Sequence, residues 1–126
     1  MSMYHLSKDG KITKVGIGVW GKWMDEMIKN GRHVVKQTTV NVPNGDIVNI
    51  STVFTGHDLP GRKPPLVFET MVFGGEFDGL QDRTPSVEHA KIAHKLAVSK
   101  VYSSCHFGQD VIDAPRKERL LRMIDK

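Results

Sequence analysis

The sequence predicts an α+β fold: an antiparallel sheet of three to five strands, two main helices packed on it and a short C-terminal helix. Three observations carry this. Trp20, Trp23, Met24, Met27 and Ile28 recur at i, i+3, i+4, i+7 and i+8, the spacing of one helix face. The segments His33 to Val42 and Ile47 to Thr55 are rich in β-branched residues and flank Pro43-Asn44-Gly45-Asp46, which reads as a hairpin. Thr84-Pro85 then precedes Val87, Ala90, His94, Ala97 and Val101, a helical stripe that faces the sheet.

In chain order, Met3 to Leu6 reads as a strand and Lys11 to Ile17 as its return. Asp9-Gly10 lies between them as a two-residue turn with both positions at positive φ. The helix of Trp20 to Ile28 stops at Asn30-Gly31. Gly56 to Pro65 holds Pro60, Gly61, Pro64 and Pro65 and reads as a loop. Leu66 to Phe73 is the most apolar strand, expected in the middle of the sheet. Gly74 to Arg83 reads as a second loop, and Thr84 as the cap of the following helix. Pro115 opens the last helix, with Leu120, Leu121, Met123 and Ile124 as its apolar residues. Residues 1–126 form one domain, of which 115–126 are a basic amphipathic tail.

Composition narrows the function classes. The chain has 126 residues and a formal net charge of +4. Residues 115–126 hold Arg116, Lys117, Arg119, Arg122 and Lys126 against Glu118 and Asp125, so most of the excess sits there. Such an end attracts phosphates or an acidic protein face. No apolar run approaches the roughly 20 residues that span a bilayer. The start, Met1 to Gly10, lacks the apolar core of a signal peptide. Cys105 is the one cysteine, which excludes an internal disulfide and a multi-cysteine zinc site. The expected location is a reducing cytoplasm.

A family resemblance rests on particular segments. They are the Trp-containing helix, Ser51-Thr52-Val53-Phe54-Thr55-Gly56-His57-Asp58, the loop ending Pro64-Pro65, Leu66 to Gly74, Arg83-Thr84, and a helix with Ala90 and His94. Over roughly residues 15 to 100 the chain resembles a family of small proteins from tailed phages and prophages, with Phe68 to Gly74 the most specific piece. Thr55 stands where that family has leucine, Ala93 replaces a glycine, and the tail after Val101 lies outside the pattern. The resemblance implies a mobile-element origin and brings no activity with it.

Several residues could carry chemistry. Glu69 shares a strand face with Val67, Met71 and Phe73, while Leu66, Phe68, Thr70 and Val72 share the other. Both faces are apolar, so a partly buried carboxylate is expected, tied to Arg83, an amide or an indole, or facing a ligand. His94 interrupts an apolar stripe and reads as a hydrogen-bonded core histidine. Glu69 and His94 are expected on facing elements, strand against helix. His89 lies five residues before His94, off the face that a helical zinc pair needs. His57-Asp58 and Cys105-His106 are scattered further ligands, and no metal or cofactor is expected. No serine lies in a G-x-S-x-G elbow and no Walker loop is present. Arg62 and Lys63 lie in the proline-bounded loop, and Arg83 precedes a helix whose free amides favour an anion. With Arg116, Arg119 and Arg122 they suit forked contacts to phosphate.

The expected function is therefore a phage-type, non-enzymatic binding protein acting against host defence. It would sequester a nucleotide-like signal or block a host protein, with Arg62, Lys63, Arg83, Glu69, His94, Arg116 and Arg119 as the ligand-binding residues and no catalytic residue. A phage structural or assembly accessory, and a small hydrolase using Glu69 and His94, are the alternatives. A homo-oligomer is expected, because a small core gains from further apolar burial. The tail is expected to dock on a neighbouring subunit or at the edge of a pocket. General binding of nucleic acid is not favoured, because basic and aromatic residues do not interleave.

Overall fold

The computed structural model describes residues 1–43 and 45–105, and shows an α+β architecture with two antiparallel sheets in place of one. Strands β1 (Ser2–Leu6), β2 (Ile12–Val15) and β5 (His57–Asp58) form a sheet of order β2-β1-β5. Strands β3 (Val34–Asn41), β4 (Ile47–Phe54), β6 (Phe68–Phe73) and β7 (Gln81–Thr84) form one of order β3-β4-β6-β7. The helices are α1 (Ile17–Lys29) and α2 (Val87–Cys105). The predicted final helix, with Arg116, Arg119 and Arg122, lies outside the described residues.

The first hairpin pairs Leu6 with Ile12 and Met3 with Val15. Its connection is longer than a two-residue turn. Ser7 N donates to Lys11 O at 2.9 Å and Gly10 N to Ser7 O at 3.1 Å, and Gly10 alone has positive φ, at 88°. A tight turn followed by one left-handed glycine is the next commonest hairpin solution, and it spares Asp9 a left-handed conformation. The β3–β4 hairpin closes in the same way, Val42 N donating to Asp46 O at 3.0 Å. Helix α1 ends as the Asn-Gly signal predicts. Gly31 (φ 70°) N donates to Ile28 O, and Arg32 N to Met27 O, the paired bonds of a Schellman motif. Met24 and Met27 are buried and Trp20 and Trp23 partly so, but Ile28 is 50% exposed. The helix thus buries a narrower stripe than the sequence spacing indicated.

Helix α2 is capped by Ser86, not by Thr84. The Ser86 Oγ accepts from His89 N at 3.1 Å, and Ser86 O accepts from Ala90 N at 2.8 Å. Thr84 ends β7 instead, paired with Phe68. Strand alternation then divides the four-stranded sheet. Val48, Ile50, Thr52 and Phe54 of β4 and Phe68, Thr70 and Val72 of β6 are buried, and α2 packs across β3, β4, β6 and β7. Two apolar clusters result. Val40, Val48, Ile50 and Val72 meet Ala97, Val98 and Val101 of α2. Phe54 and Phe68 meet Met24 and Met27 of α1 and Ala90 of α2. Fully burying a phenylalanine contributes about 1.5–3 kcal/mol. The other face of the sheet carries Gln37, Thr39, Asn49, Ser51, Met71, Phe73 and Gln81, and among the described residues no helix packs on it. Phe73 is accordingly 48% exposed.

Candidate functional site

His94 sits in the middle of α2 and is 0% exposed. Its Nε2 shares a hydrogen bond with Thr38 Oγ1 on β3 and its Nδ1 with Thr52 Oγ1 on β4, both at 2.8 Å. Thr52 Oγ1 in turn shares one with Thr70 Oγ1 on β6 at 2.7 Å. A polar chain thus crosses three strands beneath the helix. Burial, helped by the positive charge of Lys36, pushes the His94 pKa down to about 4, so the ring is neutral at physiological pH. A neutral imidazole has one donor and one acceptor, and both ring nitrogens are engaged. His94 therefore ties α2 to the sheet.

Glu69 is on the opposite face of that sheet. Helix α2 does pack on β6, but alternation turns Thr70 towards the helix and Glu69 away from it. Register sets Glu69 between Val53 of β4 and Arg83 of β7. Gln81 Nε2 donates to Glu69 Oε2 at 2.5 Å, and Arg83 Nε lies 4.0 Å from the same oxygen. Glu69 and His94 each have polar partners, yet the sheet stands between them, so they form no acid–base pair.

Arg83 reaches further. Its Nη2 donates to His57 O at 3.1 Å and to Thr55 Oγ1 at 3.3 Å. Next to His57 is Asp58, 1% exposed, whose carboxylate accepts from Leu59 N at 2.7 Å and Leu66 N at 2.6 Å. Arg62 Nε lies 3.4 Å from it. Burial alone would raise this carboxyl. The amides of Leu66 and Leu59 and the charges of Arg62 and Arg83 outweigh it, and the pKa falls below the ordinary value. Asp58 thereby closes the 58–66 loop and pairs with Arg62, while Arg83 is held at the neighbouring His57 carbonyl. Lys63, exposed, is the neighbour of Arg62 and precedes the cis bond to Pro64.

The wall beside these arginines comes from α1. The Trp20 indole meets the His57 ring edge-on, 6.2 Å between centroids. Gly56 makes that approach possible. Its φ is 75°, and a Cβ there would stand 2.7 Å from Trp20 Nε1. Among the described residues, Trp20 Nε1, His57 Nδ1 and Arg83 Nε are buried without a hydrogen-bond partner.

The structure thus brings Arg62, Lys63, Arg83 and Glu69 to one end of the four-stranded sheet and puts His94 elsewhere. Arg116 and Arg119 lie outside the described residues, as does His106. Sequence reasoning missed Asp58 as the hub. It also missed Thr38, Thr52 and Thr70, for which the signal was a polar position in each buried strand face. No group of three or more His, Cys, Asp or Glu side chains among the described residues could hold a metal ion. No described helix is long and apolar enough to cross a membrane. Comparison with protein families, with curated proteins and with solved structures finds no match.

Proposed function

We propose that this chain is a non-enzymatic binding protein that holds a phosphate-bearing small molecule, such as a nucleotide, at the Arg62–Arg83 end of the sheet. The observation that carries the reading is the placing of two guanidiniums at one loop, Arg62 paired with Asp58 and Arg83 bonded to the carbonyl of the preceding His57, beside nitrogens of Trp20, His57 and Arg83 that lack partners among the described residues. Each guanidinium has five N–H donors, and Asp58, Glu69, His57 O and Thr55 engage only some of them. A forked cationic donor pair suits a phosphate, and an indole edged by an imidazole suits a planar base. Separation of Glu69 from His94 weighs against the hydrolase reading. The phage resemblance supports a role against host defence in the host cytoplasm, with a nucleotide-like signal as the cargo. Blocking of a host protein is the competing proposal, favoured by the open sheet face with its half-exposed Phe73.

Calorimetry against cyclic and linear nucleotides and inorganic phosphate tests the reading. Binding is expected for at least one nucleotide, weakened tenfold or more by Arg62→Ala and by Arg83→Ala, with the ligand recovered intact after denaturation. Absence of heat across the panel moves the weight to a protein target, and turnover of a nucleotide moves it to an enzyme.

A further inference from the structure

At the other end of β4, about 25 Å from the arginines by the rise of an eight-residue strand, lies a groove of about 440 Å³. Its apolar wall is Val42, Val48, Phe77 and Val101, and its rim carries Asp46 and Glu76. Glycines make the floor. Gly74 and Gly75 have positive φ, and a Cβ would come within 2.7 Å of Ile47 O at the first and 2.8 Å of Val48 Cγ2 at the second. The loop backbone thus lies close against β4 there. Ser104, one residue before the described chain ends, also lines the groove.

We infer that this groove is the docking site of residues 115–126 of the same chain. Three observations converge on that occupant. The first is attachment: the segment departs from the groove's own wall, and the nine residues 106–114 reach about 30 Å when extended, enough to return to it. The second is apolar match, since Leu120, Leu121, Met123 and Ile124 need cover and the partly buried Val42 and Phe77 offer it, above the buried Val48 and Val101. The third is charge, since the segment carries five basic residues against two acidic ones and the exposed Glu76 stands at the rim. Lys100 stands over the Phe77 ring at 5.1 Å from its centroid, so Phe77 already takes a cation on one face. This site is separate from the arginine cluster, and its test does not depend on ligand binding there.

The experiment uses the full chain with Cys105→Ser, so that introduced thiols are the only ones. Glu76→Cys at the groove is paired with Leu121→Cys in the tail, and a short bis-maleimide is added. As a control, Lys14→Cys on β2, also exposed, is paired with Leu121→Cys. A cross-link within one chain is expected for the 76–121 pair, at least fivefold more abundant than for the 14–121 pair. Triple replacement of Arg116, Arg119 and Arg122 by glutamate should lower it several-fold. Equal cross-linking of the two pairs overturns the inference. So does a 76–121 product found only between chains, which would give the groove to a second copy. Near-unchanged circular dichroism of each variant is the check on folding, and Ser103→Cys, at the adjoining edge of the groove, replaces Glu76→Cys if that variant fails it.

Discussion

Thr52→Val probes the polar chain under α2 with almost no change of shape. The Thr52 hydroxyl is bonded to both His94 Nδ1 and Thr70 Oγ1. A hydroxyl has one proton, so it donates to one neighbour and accepts from the other. Valine removes both bonds and strands two buried polar atoms, each at a cost of about 1–3 kcal/mol. The extra methyl returns roughly 0.8 kcal/mol through burial, and the net loss is about 1–5 kcal/mol, centred on ~3 kcal/mol. With a urea slope of about 1–3 kcal/mol per molar, a loss of ~3 kcal/mol lowers the unfolding midpoint by about 1 M or more. Thr39→Val is the control, because Thr39 is exposed on the other sheet face and its hydroxyl donates to Oδ1 of its pair partner Asn49. If Thr52→Val lowers the midpoint no more than Thr39→Val does, the chain contributes nothing to stability and the reasoning fails.

Two further outcomes follow from the charged groups. His94 has a folded pKa of about 4 against an ordinary 6.5, so below pH 6.5 the unfolded chain takes up a proton that the folded chain refuses. Stability should therefore fall as pH drops from 6.5 to about 4, by roughly 3 kcal/mol. Urea titrations of His94→Gln should show a correspondingly shallower slope in that window, and an equal slope would show that other groups set it. Asp58 has the opposite sign, its lowered pKa giving stability that is present above the ordinary carboxyl value and lost as pH falls through the folded one. Asp58→Asn should cost about 1–3 kcal/mol and speed hydrogen exchange of the Leu66 amide, whose acceptor it alters. Unchanged exchange at Leu66 would refute the role given to Asp58 in closing the loop.

What could be read from the sequence follows from where each signal resides. The long hairpin and both helices were legible because burial imposes a period on several successive side chains, as in Val48, Ile50, Thr52 and Phe54. Strand β7 was not, because Gln81-Asp82-Arg83-Thr84 is wholly polar and shows no apolar alternation, although its backbone pairs with β6. Strand β5 has two residues, too few for any period, and without it the second sheet could not be foreseen. The arginine site was half legible. Residue type marked Arg62, Lys63 and Arg83 as anion donors, but only the folded loop discloses that Asp58 holds Arg62 and that the next carbonyl, of His57, holds Arg83. Glu69 was correctly placed on a face apart from Thr70, yet sequence could not say which of those faces α2 would cover.

That only one side of the four-stranded sheet carries a helix among the described residues has a consequence for how such a protein can change. On β4 the residues at even positions, from Val48 to Phe54, determine whether the chain folds, while Asn49, Ser51 and Val53 between them face outward. A substitution at an outward position leaves the helix interface untouched and alters only what the molecule presents to its surroundings. The same holds for Gln37 and Thr39 on β3 and for Met71 and Phe73 on β6. The open side is thus a surface on which new contacts can be tried one residue at a time, while the covered side keeps the architecture constant.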